Sequence, residues 1–245
     1  KMEQIRGRVD HVVRDEATAE ALKPYYNQFC KRPCFHDEYL QSFNNPNTHL
    51  IDTDGKGVER ITEKGLVVAG KEYEVDCIIY ASGFEVGTSY QRRSGFDAVG
   101  RDGLNLSDYW ADGMRSLHGI HVHGFPNMYI VHPAQGANLI SNVPHNLVDS
   151  AKTITAIVSH TLQSGHTTNE VTKQAEDDWL ALLSTGMGMI IGGTECTPGY
   201  YNNEGHGWEG TPGALSMGYP AGAVAYFKYI DEWRNNGKFE GLAFA

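Results

Sequence analysis

The stretch Asp76-Cys-Ile-Ile-Tyr-Ala-Ser-Gly-Phe84 decides how this chain reads. Cys77 through Tyr80 is solidly apolar, the pattern expected of a strand buried on both faces of a mainly parallel sheet. Ala81, Ser82 and Gly83 follow as a small-residue turn at its carboxyl end, where α/β sheets expose backbone to a ligand. The apolar segment ends a strand-like run, Tyr73-Glu-Val-Asp-Cys-Ile-Ile-Tyr80, and upstream lie three more, Thr48-His-Leu-Ile-Asp52, Val58-Glu-Arg-Ile-Thr62 and Leu66-Val-Val-Ala69. Asp54-Gly-Lys-Gly57, Lys64-Gly65 and Gly70-Lys71 punctuate them as turns. Downstream, Phe125-Pro-Asn-Met-Tyr-Ile-Val131 predicts another buried strand, followed by the polar loop His132-Pro-Ala-Gln-Gly-Ala-Asn138.

Ser141 and Asn142 are good caps for a helix with Pro144 in its first turn. Leu147, Ala151, Ile154, Val158 and Leu162 then recur at steps of three or four, one apolar stripe that Gly165 terminates. Strand, glycine-bearing loop and capped helix bring free N–H groups and a positive helix end to a ligand-facing edge. Elsewhere, residues 1–13 carry a helical pattern without a capping start, which reads as the truncated end of a helical unit. Asp15 opens a second helix that runs to Leu22 and stops at Pro24. Further helices are expected around Leu106 to Trp110, from Val171 to about Leu183, and from Gly222 to Asn235. Phe239 and Phe244 follow as docking side chains. The glycine- and tyrosine-rich stretch of residues 187–205 is long enough to suggest a functional loop.

A length of 245 residues suits one large domain or two small ones. Lys and Arg number 20 against 30 Asp and Glu, a net charge of −10, which argues against a nucleic-acid or anionic-membrane surface. The four cysteines are too few for a disulfide scaffold, so a reduced, cytoplasmic protein is the expectation. Neither an apolar run of bilayer length nor a basic-then-apolar leader is visible. Cys30-x3-Cys34-x-His36 has metal-like spacing, but no second pair accompanies it and Lys31 and Arg32 lie inside it, so no metal is expected. His121-x-His123 lacks a nearby carboxylate and reads as coincidence or as the polar lining of a pocket. Neither a nucleophile elbow nor a dinucleotide or P-loop glycine fingerprint occurs. Lys31-Arg32, adjacent cations in an acidic chain, form the sharpest polar feature and look poised for an anion.

The line of motifs runs from Cys30-Lys-Arg-Pro-Cys34 through Tyr39-x3-Phe43-Asn44 and His49-Leu-Ile-Asp52 to residues 76–84. It continues with Gly124-Phe-Pro-Asn-Met-Tyr129 and Ser141-Asn142. In that order and spacing it resembles the carboxyl-terminal half of a type I Baeyer–Villiger monooxygenase, of the flavin monooxygenase superfamily. The resemblance implies an α/β, Rossmann-like fold: half of a flavoprotein with two dinucleotide-binding domains, completed by an amino-terminal half. Residues 1–28 would finish a helical insert, residues 29–75 the NADP domain and residues 76–245 the FAD domain. The implied reaction converts a bulky or cyclic ketone to an ester or lactone with NADPH and O2. Heteroatom oxidation by a related flavin monooxygenase and a non-catalytic subunit are the alternatives.

The resemblance also implies roles. Arg32 would stand over the flavin and stabilise the negative charge that develops there, and Lys31 would contact the 2′-phosphate of NADPH. Ala81-Ser82-Gly83 would form the hinge between the two cofactor domains. Gln135, Asn142 and Val143, in the loop and helix start, would meet the flavin ring. Ile140 and Val143 would line the substrate pocket. A late-loop tryptophan of the family is replaced by Met187-Gly-Met-Ile-Ile-Gly192, and Tyr200 or Tyr201 would take its place, Tyr200 in the substrate pocket. The partner expected is the amino-terminal half of the same enzyme as a separate chain, with neither nucleic acid nor membrane involved.

Overall fold

The structure is a computed structural model, and it describes residues 1–28, 30–83, 89–132, 134–137, 141–186, 196–199 and 218–245. The chain divides into two compact units, Lys1–Phe84 and Glu85–Ala245.

In the first unit, α1 (Met2–Val12) and α2 (Glu16–Leu22) pack through Val9, Val13 and Ala19, with Leu40 and Phe43 of the next segment against them. Asp15 caps α2 as expected, its carboxylate accepting from the Thr18 N–H at 2.8 Å. After α3 (Tyr39–Ser42), Asn44 reaches back, donating to the Val12 carbonyl at 2.8 Å and accepting from the Arg14 N–H at 2.9 Å. The turn chemistry read from the sequence then yields a three-stranded antiparallel meander. It consists of β1 (Arg60–Ile61), β2 (Gly65–Val68) and β3 (Lys71–Glu74), with Ile61 opposite Leu66 and Leu66 opposite Tyr73.

Three expected strands differ. Residues 48–52 form none, and β3 ends at Glu74. Cys77-Ile-Ile-Tyr80 belongs to no sheet, and no hydrogen bond among the described residues engages Asp76 through Gly83. Ile79 is 86% exposed and Tyr80 73%. An apolar strand is buried only when neighbouring strands are present to satisfy its backbone, and none lies beside it among the described residues.

The second unit contains α4 (Tyr90–Ser94), a 3-10 turn at Arg101–Gly103 and α5 (Leu106–Tyr109). The long α6 (Val143–Gln163), β4 (Asn169–Val171), α7 (Lys173–Ser184), α8 (Ala223–Asn235) and β5 (Leu242–Phe244) follow. Strands β4 and β5 pair antiparallel, Asn169 opposite Phe244, so Val171 is a strand residue and α7 starts after the Thr172 cap. The expected strand at residues 125–131 is instead a run of turns: the Phe125 N–H donates to the Val122 carbonyl and the Met128 N–H to that of Phe125. Its proline and its Asn127, which adopts φ +57°, interrupt the extended backbone that a ladder requires. Ile157 of α6 and Ile230 of α8, both fully buried, centre a core completed by Trp179, Tyr226, Trp233 and Phe239. Each aliphatic side chain withdrawn from water contributes about 2 kcal/mol.

Helix α6 turns the opposite way from its apolar stripe. Its buried positions are Asn146, Ser150, Thr153, Ile157 and Thr161, whereas Ala151, Val158 and Leu162 face solvent, Leu162 at 70%. The polar stripe can be buried because the chain supplies it with partners. Thr153 accepts from Arg234 at 2.8 Å, Thr161 accepts from Asn169 at 3.1 Å, and Asn146 donates to Ser141 at 2.9 Å. Arg234 also bonds Asp149 at 3.2 Å, which pins α8 to α6.

Candidate functional site

The residues singled out in the sequence fall into both units. In the first, Lys31 is half-buried and Arg32 exposed on irregular backbone, where the Arg32 carbonyl accepts from the Cys34 thiol at 3.7 Å. Phe35 beyond them is exposed, and Cys34 and Cys77 are free thiols. Ala81, Ser82 and Gly83 are exposed at the end of the unpaired segment, Gly83 with φ +88°, a backbone only glycine adopts freely.

In the second unit, Asn142 caps α6, its side-chain oxygen accepting from the His145 N–H at 2.9 Å. Pro144 fills the first turn, which holds no acidic residue, and Val143 is half-buried. The positive end of a 21-residue helix is thus left without a neutralising carboxylate of its own first turn. Ile140, Tyr200, Tyr201 and residues 187–192 lie outside the described residues.

Gln135 differs most from its expected role. It is fully buried, its side-chain oxygen accepting from the Ser116 hydroxyl and its amide donating to the Met114 carbonyl at 2.6 Å. Its own carbonyl accepts from the Trp179 indole at 3.0 Å. The Gly136 carbonyl accepts from the Tyr219 N–H at 2.9 Å, and the Tyr226 ring closes against that glycine. Residues 134–137 are buried throughout, a loop clamped from three directions. Sequence reading missed Ser116, Trp179 and Tyr226, because no local pattern ties them to a loop 19, 44 or about 90 residues away.

Two histidines beside this loop are buried without charge partners. His118 packs edge-on against Trp179, Tyr229 and Trp233 and bonds the Tyr229 hydroxyl at 3.0 Å. His121 lies against Tyr129 with neither ring nitrogen bonded among the described residues. Burial pushes both imidazoles down to about 3, the neighbouring His121 adding to the effect at His118. His132, whose Nδ1 accepts from the Ala134 N–H at 3.0 Å, is lowered to about 4 by burial and by Arg93. The His118 and His121 imidazoles are therefore neutral near pH 7. No group of three or more His, Cys, Asp or Glu among the described residues is placed to hold a metal. No helix among them is long and apolar enough to cross a membrane.

Within the second unit, the amino terminus of α6, with no acidic residue in its first turn, is suited to an anionic or carbonyl group; in the first unit, Arg32 is an exposed cation and Lys31 a half-buried one. The glycine cradle for a pyrophosphate is not among this chain's motifs.

Comparison with known proteins supplies the context. No protein-family profile matches the chain. It is 46% identical over 242 residues to the FAD-binding monooxygenase hmp7 of Hypomyces subiculosus, covering 98% of this chain and 40% of that protein. It is 43% identical over 245 residues to the Baeyer–Villiger monooxygenase ATR8 of Stachybotrys chlorohalonatus, covering 99% and 39%. Among solved structures, the polycyclic ketone monooxygenase from the thermophilic fungus Thermothelomyces thermophila superposes on all of this chain. The TM-score is 0.83 at 37% identity, with 40% of that protein covered. A complex of OTEMO with FAD and NADP shares the fold at 24% identity, with a TM-score of 0.71 over all of this chain and 44% of that one. The chain thus spans about two fifths of the length of the relatives it matches. Sequence and fold together make nearly all of this chain similar to about two fifths of proteins named as FAD-binding, Baeyer–Villiger and polycyclic ketone monooxygenases.

Proposed function

We propose that this chain is the carboxyl-terminal part of an FAD- and NADPH-dependent Baeyer–Villiger monooxygenase that converts a bulky or cyclic ketone to an ester or lactone with O2. The observation that carries this reading is similarity over 98% and 99% of the chain to relatives whose names specify FAD and Baeyer–Villiger chemistry. Residues 1–28 would complete a helical insert, 29–75 the NADP domain and 76–245 the FAD domain.

Bound FAD would supply the oxygen chemistry, which no side chain here can perform alone. Arg32 would hold a fixed positive charge where negative charge develops; one such lost donor costs about 3 kcal/mol of barrier stabilisation. Lys31 would bind the 2′-phosphate of NADPH as a point charge. Ala81, Ser82 and Gly83 would form the hinge. Asn142 and Val143 would bring the positive end of α6 to the flavin, and Val143, Ile140 and Tyr200 would line the ketone pocket.

The glycine cradle would come from the amino-terminal half of the enzyme, held to this chain as a separate, non-covalently bound polypeptide. The exposed Ile79 and Tyr80 and the outward apolar stripe of α6 support that partner, because monomers rarely leave such surface uncovered. The test is to co-produce the two parts and to follow NADPH oxidation and products with a cyclic ketone and with a tertiary amine. Lactone supports the reading. N-oxide alone indicates heteroatom oxidation, and a colourless complex without turnover indicates a non-catalytic subunit.

A further inference from the structure

Gln135 sits at φ +57°, a left-handed conformation that side chains avoid because Cβ crowds the following carbonyl. Its surroundings impose it. The side-chain oxygen accepts from Ser116, the side-chain amide donates to the Met114 carbonyl, and the backbone carbonyl accepts from Trp179. Both ends of the amide are spent inside the protein, so it cannot turn outward to a ligand without leaving two buried groups unpaired. Volume alone could be filled by an apolar side chain. An amide bonded at both ends to a separate segment fixes direction as well.

We infer that Gln135 is a positioning residue: it locks residues 134–137, whose Ala137 carbonyl accepts from the Ser141 hydroxyl at 3.5 Å just before α6, and so sets the amino terminus of that helix, which would face the flavin. The inference rests on the flavin reading above and replaces the direct cofactor contact expected of Gln135.

The test uses the whole enzyme, this chain together with the amino-terminal part, as wild type, Gln135→Met and Ser116→Ala. FAD affinity, NADP affinity and the visible circular dichroism of bound flavin are measured alongside the thermal midpoint. Loss of one or two hydrogen bonds predicts FAD binding about tenfold weaker in Gln135→Met and about threefold weaker in Ser116→Ala. NADP affinity stays unchanged, and the flavin dichroism changes shape. A lower midpoint with unaltered FAD affinity and dichroism would mean a purely structural role and would overturn the inference. If Gln135→Met does not fold, Ser116→Ala decides alone, since it leaves residue 135 intact. A wild type that binds no FAD overturns the flavin reading and this inference with it, whereas equal binding by wild type and variants overturns only the inference.

Discussion

Trp179 and Gln135 stand 44 residues apart in sequence, and the indole of the first donates to the backbone carbonyl of the second at 3.0 Å. Both are buried, so this carbonyl has no access to water in exchange. Trp179→Phe keeps most of the ring and removes the donor. Urea unfolding should show a loss of about 2 kcal/mol, the cost of an orphaned buried acceptor.

Gly136→Ala should disturb the same loop from the other side. A Cβ there would lie 2.9 Å from the Tyr226 ring, which cannot yield easily because its hydroxyl donates to the His118 carbonyl at 3.1 Å. The expected loss is about 2 kcal/mol from overpacking. A cycle with Tyr226→Leu should be non-additive, the second change relieving part of the first. Strict additivity would show that the ring is not the obstacle.

Stability should fall with acid between about pH 6.5 and 3 because of His118 and His121. Their folded pKa of about 3 lies below the unfolded value of about 6.5, so the unfolded state binds more protons across that window. Each ring then removes up to about 1.4 kcal/mol per pH unit as the pH drops, and contributes no slope above pH 7. Denaturant midpoints at pH 7, 6 and 5 should show a steeper fall for wild type than for His121→Phe. Identical slopes would rule out the buried imidazole as the source.

The outward stripe of α6 gives a contrast between isolated and complete protein. Leu162 is mostly exposed in this chain, so Leu162→Lys should change its stability by less than about 0.5 kcal/mol. In the whole enzyme, where the stripe would be covered, the same substitution should cost about 2 kcal/mol. Thermal or urea unfolding of the two forms makes the comparison.

Sequence showed the helices well and the sheet poorly, for a definable reason. The caps at Asp15 and Asn142 are local, and both hold where expected. The turns at Lys64-Gly65 and Gly70-Lys71 likewise delivered the meander. The runs at residues 77–80 and 125–131 have strand character, but strands need neighbours, and none accompanies them among the described residues. The stripe on α6 is apolar as the spacing indicates, but it faces outward at Ala151, Val158 and Leu162, because periodicity reports a face and not what covers it. Of the candidate residues, Lys31 and Arg32 stand out as adjacent cations and Asn142 as a helix cap. The clamp on Gln135 was not, since its partners come from distant segments.

The central claim is oxygen insertion beside a ketone carbonyl by an enzyme that includes this chain and depends on Arg32. The direct measurement supplies the complete, FAD-loaded enzyme with NADPH, a polycyclic ketone and 18O2, and reads the product by mass spectrometry for wild type and Arg32→Ala. The account predicts a lactone carrying one labelled oxygen atom from wild type. It predicts at least about a hundredfold less from Arg32→Ala with flavin still bound, as for loss of one fixed charge at a developing anion. Unlabelled product, or a variant that forms lactone at the wild-type rate, would contradict it.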